Sequence, residues 1–377
     1  MLKCYDLIVV GGSAVGLYLA KEFSKKGNSV LVLERKTKVG GKVCSGLLSK
    51  HIFSFFEKEN LDDLIEDQFE KARIWVENKY FDFSGNAWLF DRQKLDEFLF
   101  ERAQKAGAEI QLQKEVIKIK ENKDFVLVKT KDGKEFQSKI VAGCDGVLST
   151  VAREVGLPQQ KNLLLGIIYL SNYKKEDGIA SSATPPRNDN VKCHCERNEA
   201  ISNNNNNFPD LFFTKDFPGF FSWRIPRKDS VEYGTALLPE KKPKERLEKW
   251  LNNNLQLTTD NLQLRSALIP CYPLKKTTTK RVFLCGDAAG QIKPYTGGGL
   301  IYGFTAAKIA SKVIDLNNPQ LENYEKEWRK KLMPEIRFGN LLRQCYSLPN
   351  FFKKAGLSLL KKKRNLDQDQ PLTIFRN

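Results

Sequence analysis

Near the start of the chain, Val10-Gly11-Gly12-Ser13-Ala14-Val15-Gly16 sets small side chains at the spacing of a turn between a strand and a helix. Gly11 permits the tight turn and Gly16 lets the helix pack close to the sheet. The helix N-terminus then offers N–H groups and a positive dipole end to a pyrophosphate. Ser13 stands where the pattern has its middle glycine; it is small enough to admit a phosphate and can donate to it. Glu34, ending the next apolar run, suits a carboxylate that accepts from ribose hydroxyls and repels a 2′-phosphate. Two further segments have matching chemistry: Cys144-Asp145-Gly146, and Gly286-Asp287-Ala288-Ala289-Gly290 after the apolar Val282–Cys285. Asp287 can accept from a sugar-like hydroxyl, and its small neighbours let backbone approach a ligand. Pro294 and Thr296-Gly297-Gly298-Gly299 follow. This second glycine loop enters a helix and can line a flat ring, offering N–H groups where charge builds on reduction. Segments so far apart serve one large ligand only if the fold brings them together.

The intervening elements do so in outline. Residues 4–10 read as a buried strand, 14–26 as a helix ended by Gly27, and 29–34 as a second strand, which is a βαβ opening. Residues 92–107 read as helix, with Leu95, Phe98, Leu99 and Ala103 on one face; strand-like runs follow at Glu109–Lys120 and Phe125–Lys129, with a turn at Asp132-Gly133. From about 166 to 270, apolar and aromatic residues alternate, the pattern of an antiparallel sheet. Helix returns at about 244–255 and 299–314, and the tail from about 320 is helical and basic. The expected fold class is α/β: a Rossmann-like nucleotide-binding domain interleaved with an antiparallel-sheet substrate domain, plus a helical C-terminal tail. The first domain is expected from residues 1–72, 91–165 and 271–318, the second from 73–90 and 166–270, and the tail from 319–377.

Composition narrows the functional classes. Hydrophobic content of 41% and charged content of 28% over 377 residues are ordinary for a globular chain. No apolar run approaches the roughly 20 residues that cross a bilayer, and Leu7–Val10 is too short for a signal peptide, so the expected location is cytoplasmic. The net charge of +17 asks for an anionic partner, and without a nucleic-acid motif a lipid surface or anionic substrate is favoured. The eight cysteines suggest neither a disulfide framework nor a metal cluster. Residues 180–207, polar and ending in an asparagine run, read as a disordered surface insertion; no metal site is expected of its Cys193-His194-Cys195. His51 and His194 are the only histidines, and neither sits in a motif that suggests acid–base catalysis.

The order of these segments resembles the large FAD-dependent family typified by para-hydroxybenzoate hydroxylase, and within it the geranylgeranyl reductases. Gly286 through Leu300 looks like their flavin loop nearly throughout, and Lys42-Val43-Cys44-Ser45-Gly46-Leu47-Leu48-Ser49 resembles their cysteine-containing loop. Pro218-Gly219-Phe220-Phe221-Ser222-Trp223-Arg224-Ile225-Pro226 resembles their substrate signature PxxYxWxFP. The resemblance covers about residues 4–310. It implies bound FAD, held by Gly11, Ser13, Gly16, Glu34 and Arg35; by Cys44, Ser45, Gly46 and Arg92; and by Asp145 and Gly146, with Ser149 alongside. Asp287, Gly290, Pro294, Gly297, Gly298, Gly299 and Leu300 complete the expected contacts. Phe221 and Trp223 are the implied substrate contacts, and Cys44 the implied catalytic residue, shaping the pocket or taking part in protonation.

The implied activity is saturation of carbon–carbon double bonds in a geranylgeranyl or polyprenyl chain. The substrate is a lipid or diphosphate, with NAD(P)H or a ferredoxin as electron donor. An apolar tunnel is then needed, for which Trp75, Phe81, Phe83, Trp88, Tyr169, Phe212, Phe213 and Phe220 supply further rings or merely fill the core. Phe351, Phe352, Leu357, Leu359 and Leu360, interspersed with basic residues up to Arg364, suit either peripheral contact with a membrane or packing on the core. Three departures concern the substrate more than the fold: Phe221 replaces tyrosine, Ile225 replaces phenylalanine, and Cys144 replaces alanine. The alternatives are a flavin-dependent monooxygenase or halogenase, since Phe221–Pro226 nearly matches the halogenase WxWxIP, and a non-catalytic flavin-binding or electron-transfer module.

Overall fold

The computed structural model describes residues 3–171, 207–361 and 369–372. The segment 180–206 with its Cys193-His194-Cys195, and the basic run 362–364, lie outside the described residues. β1 (Cys4–Val10), α1 (Ala14–Ser24) and β2 (Val30–Leu33) form the opening βαβ unit, with Leu7–Val10 parallel to Val30–Leu33. β3 (Leu47–Ser49), β4 (Ile65–Val76) and β5 (Lys79–Phe90) lead to α2 (Arg92–Lys105), which Asp91 caps by accepting from the amides of Gln93 and Lys94. β6 (Glu109–Gln111), β7 (Val116–Glu121), β8 (Val126–Thr130) and β9 (Glu135–Gly143) precede the short α3 (Thr150–Glu154). β10 (Leu163–Leu170), β11 (Asp210–Phe213), β12 (Ser222–Pro226), β13 (Val231–Leu237), α4 (Pro243–Leu255) and β14 (Gln263–Pro270) come next. β15 (Val282–Leu284), α5 (Leu300–Val313), α6 (Leu321–Gln344) and α7 (Asn350–Leu360) complete the chain.

Two sheets result. The first runs β6-β2-β1-β9-β8-β7, with β15 also paired to β9; β6, β2, β1, β9 and β15 are parallel to one another. The second runs β14-β10-β13-β12-β11-β4-β5-β3 and is antiparallel except at β11–β4. It takes in β3 and all of β4, which begin before the boundary expected at residue 73. The run Glu109–Lys120, expected as one strand, is two: Gln113 takes φ 57°, a left-handed conformation that turns the chain out of the extended path between them. β6 therefore joins the parallel edge, while β7 pairs with β8.

Periodicity explains which faces are buried. Leu7 and Val9 of β1 face a core shared with Leu17 and Phe23 of α1, Leu95 and Leu99 of α2 and Phe304 of α5. Ile8 and Val10 face the opposite side with Val141, Val151 and Leu157. In the second sheet, Trp75, Ile167, Tyr169 and Phe212 pack under Trp250 and Leu251 of α4. Each such buried side chain contributes roughly 1.5–3 kcal/mol. The sheet's other face is left for a cavity.

Candidate active site

A cavity of about 570 Å³ opens where β1, β2, β9 and β15 end, walled there by Val10, Leu33, Cys144 and Cys285. Carboxyl ends of parallel strands are where open α/β sheets bind ligands, because the following loops and helix N-termini converge there. The cavity extends without interruption to the second sheet, so the three glycine-containing segments and the substrate signature share one wall.

At the first loop, Gly11 takes φ 103°, and a Cβ there would lie 2.6 Å from the Cys144 carbonyl oxygen. Ser13 caps α1: its hydroxyl accepts from the Gly16 amide and donates to the Cys144 carbonyl, each at 3.2 Å. The serine that departs from the glycine pattern thus ties the first loop to the second segment. Glu34 is buried, accepting from the Gly12 amide at 2.6 Å and the Lys36 amide at 2.9 Å. A carboxylate has about four acceptor positions, so capacity remains for ligand hydroxyls. Arg35 also lines the cavity.

In the second segment, Asp145 accepts from the Ser149 hydroxyl at 2.7 Å and the Val151 amide at 3.1 Å. Burial pushes its carboxyl up, against the lowering effect of those donors. Asp145 and Gly146 line the cavity, while Ser149 caps α3 through the Ala152 amide at 2.9 Å. In the third segment, Asp287 forms an ion pair with Lys42, a partner the sequence reading did not single out. The loop before α5 closes on itself, with the Gly297 amide donating to Lys293 and the Lys293 amide to Gly298. A Cβ at Gly298 would lie 2.8 Å from Lys293 Cε, and one at Gly299 would lie 2.9 Å from Asp287 Oδ1. Gly297, Gly298, Gly299 and Leu300 line the cavity; Gly16, Gly46, Gly290 and Pro294 do not.

Cys44 and Ser45 reach the cavity from the loop before β3. Arg92 faces them, its Nη2 donating to Asp96 at 2.9 and 3.2 Å. Burial opposes its charge, but Asp96 and then Cys44 outweigh that, and its pKa is raised. Arg92 Nε is buried with no hydrogen-bond partner among the described residues. Asp369 was not foreseen: it comes from the C-terminal segment, is 2% exposed, pairs with Lys293 at 2.5 Å and accepts from Ser49. No sequence pattern links residue 369 to the loop of Lys293; only the folded tail brings it there.

The second sheet supplies an apolar wall by simple alternation. Trp223 and Ile225 of β12, Leu211 of β11, and Gly166 and Ile168 of β10 line the cavity, while the alternate residues Phe212 of β11 and Ile167 and Tyr169 of β10 belong to the core. Phe221 lines the cavity and stacks on Phe220 with centroids 4.5 Å apart. Trp75, Tyr169, Phe212, Phe213 and Phe220 belong to the core instead. The Trp223 indole lies across Gly234, its register partner, where a Cβ would collide with the ring, and donates to Glu232 at 2.9 Å.

The residues present fit an elongated dinucleotide. The helix N-terminus and small loop residues suit a pyrophosphate, Glu34 a ribose, and the side-chain-free Gly297–Gly299 a flat ring. The orphaned Arg92 Nε supplies an unmet donor at the wall. A sequence profile described as FAD binding domain matches residues 4–314. A digeranylgeranylglycerophospholipid reductase of Methanocaldococcus jannaschii is 26% identical over 366 residues, spanning 90% of this chain and 86% of that protein. A geranylgeranyl bacteriochlorophyll reductase-like protein of Thermoplasma acidophilum superposes with a TM-score of 0.79 at 17% identity, over 100% of this chain and 96% of that one. A p-nitrophenol 4-monooxygenase of Pseudomonas putida does so with 0.73 at 17% identity, over 100% and 96%. At such identities the two structures speak for the fold alone.

Proposed function

Because this chain belongs to the FAD binding domain family and is an FAD-dependent oxidoreductase of the geranylgeranyl-reductase-like kind, we propose that it saturates double bonds in the prenyl chains of a lipid. The substrate class is a geranylgeranylated glycerophospholipid or a related polyprenyl diphosphate. The observation that carries this reading is the single cavity joining the nucleotide loops to an apolar wall of Ile168, Leu211, Phe221, Trp223 and Ile225. A hydrocarbon chain is the ligand such a wall accommodates. FAD, once bound and reduced, supplies the hydride that an alkene carbon receives.

The protein's own residues do the rest. The Ser13 hydroxyl already donates to Cys144, so the backbone of Ser13 and of the first turn of α1 would hold the pyrophosphate, and Glu34 the ribose. Arg92, buried and charged beside Cys44, would help hold the ring end of the cofactor. Phe221 and Trp223 align the chain and exclude water, so that reacting atoms meet in a productive geometry. Cys44 shapes that end of the cavity and is the proposed route for the proton that completes the addition. Phe221 carries no hydroxyl, so no hydrogen bond from this position steers the substrate. The sequence carries one dinucleotide fingerprint, and NAD(P)H or a ferredoxin therefore serves as a transient electron donor.

Peripheral membrane contact belongs to the same reading. No described helix is long and apolar enough to cross a membrane, but α7 has no buried residue and exposes Phe351 (75%), Phe352 (58%) and Leu359 (68%) beside Lys353, Lys354 and Lys361. Apolar side chains among lysines suit an anionic lipid surface. The test of the activity is anaerobic: chemically reduced holoenzyme is mixed with geranylgeranylated glycerophospholipid and the lipid is weighed by mass spectrometry. Added hydrogen pairs support the reading. Untouched lipid, with oxygen-dependent turnover of another substrate, replaces it with a monooxygenase.

A further inference from the structure

One guanidinium joins the two halves of the cavity wall. Arg227 follows β12 in the tight turn to β13, closed by its own amide donating to Ser230 at 2.9 Å. Its side chain, 14% exposed, turns back under the sheet. Nη1 donates to Glu66 of β4 at 2.8 Å, Nε and Nη2 donate to Glu232 of β13 at 3.2 and 2.7 Å, and Nη2 also donates to the Ser45 carbonyl. Glu232 is 1% exposed, and its other oxygen accepts from the Trp223 indole at 2.9 Å. A continuous chain of hydrogen bonds thus runs from Trp223 through Glu232 and Arg227 to the carbonyl of Ser45, the residue after Cys44.

We propose that Arg227, acting with Glu232, is a positioning residue that fixes the Cys44 loop relative to Trp223, and so sets how a substrate chain meets the reacting end of the cavity. Three features support it. The Cys44 loop is otherwise held at its two sides, by the Lys42–Asp287 pair before Cys44 and by the Gly46 carbonyl accepting from the Phe90 amide at 2.9 Å after it, neither of which reaches Trp223. Among the described residues, Arg227 is the side chain of the substrate sheet that hydrogen-bonds Ser45. Its planar fork can serve a carboxylate and a carbonyl together, which a lysine ammonium does less well. A purely stabilising ion pair would have no need to reach Ser45. Glu232 and Glu66 also leave the site an excess of negative charge, so neutralising Arg227 releases the loop and the indole together. The proposal rests on the reductase reading only for what the positioning serves; the geometry stands without it.

The test uses the full chain with FAD bound and follows alkylation of Cys44 by iodoacetamide, read by peptide mass spectrometry with exposed Cys4 as internal reference. Arg227→Gln is compared with Arg227→Lys, and with Arg227→Gln/Glu232→Gln, which leaves no charge at position 232 should the single variant fold poorly. Asp82→Asn is the control, since it breaks the Arg73–Asp82 pair of the same sheet away from the Cys44 loop. Loss of a hydrogen bond to a charged group predicts Cys44 alkylation faster by about tenfold in Arg227→Gln and in the double variant. Arg227→Lys should fall between them and wild type, and Cys4 and Asp82→Asn should be unchanged. With prenyl lipid, kcat should drop by on the order of tenfold or more, with KM less affected. Cys44 alkylation within twofold of wild type in both Arg227→Gln proteins, or an equal rise in Asp82→Asn, overturns the proposal. Faster alkylation in a protein whose wild type reduces no prenyl lipid keeps the positioning role and removes the reductase reading.

Discussion

Cys44 stands at the meeting point of Arg92, the Ser45 anchor and the cavity, and its replacement separates binding from chemistry. Cys44→Ala removes no contact from Glu34 or the first loop, so the purified protein should stay yellow with stoichiometric FAD. Turnover of a prenyl lipid should fall by about 100-fold, the scale of a lost proton-transfer group; turnover equal to wild type would make Cys44 a spectator. Gly234 tests the indole from the other side. A methyl group there collides with Trp223, so Gly234→Ala should leave FAD content unchanged and raise KM for the lipid by about tenfold, the scale of about 1.4 kcal/mol. Residues of the first kind were legible in the sequence because type and spacing carried them: Glu34 by its place after a strand, Cys44 and Trp223 by motif. Lys42, Arg227, Gly234 and Asp369 were not. Each acts through a contact between segments distant in the chain, and no local pattern encodes such a contact.

At the scale of elements, the site depends on how closely α1 lies against β1. A Cβ at Gly16 would run into the Gly11 carbonyl and lie 3.1 Å from the Cys144 side chain. Gly16→Val should therefore push α1 outward, cost about 1–3 kcal/mol of stability and release FAD; a variant that keeps both its melting temperature and its flavin would show that this close approach is not needed. The opening βαβ unit, α2, α5 and the antiparallel character of 166–270 are legible from apolar periodicity. The interruption of Glu109–Lys120 at Gln113 is not, because a left-handed glutamine has no compositional mark. Period two also explains why the aromatic supply divides: along β12, Trp223 and Ile225 take the cavity side while Ser222 and Arg224 take the other. Which face of the sheet would be the cavity was decided by the arrangement of the first sheet, information that no strand holds alone.

For the whole molecule, the membrane contact proposed above rests on a net charge of +17 and on the exposed Phe351 and Phe352. If the substrate resides in a membrane, the protein should sediment with anionic vesicles and not with zwitterionic ones, and raising salt from 0.1 M, where the Debye length is about 10 Å, should weaken the association. Phe351→Ser/Phe352→Ser should reduce vesicle binding by about tenfold or more, since each buried ring contributes roughly 1.5–3 kcal/mol, while leaving turnover of detergent-dispersed lipid intact. Equal binding to neutral and anionic vesicles would contradict the electrostatic part of this picture. The central claim is that the cavity presents an alkene chain to the reduced cofactor. Its most direct test is an anaerobic stopped-flow measurement: holoenzyme reduced with a stoichiometric amount of dithionite, then mixed with geranylgeranylated glycerophospholipid. The account predicts that the yellow absorbance of oxidised flavin returns at a rate that saturates with lipid, and that an already saturated lipid gives no return. Flavin that stays reduced with the prenyl lipid, and reoxidises only when oxygen is admitted, would contradict it.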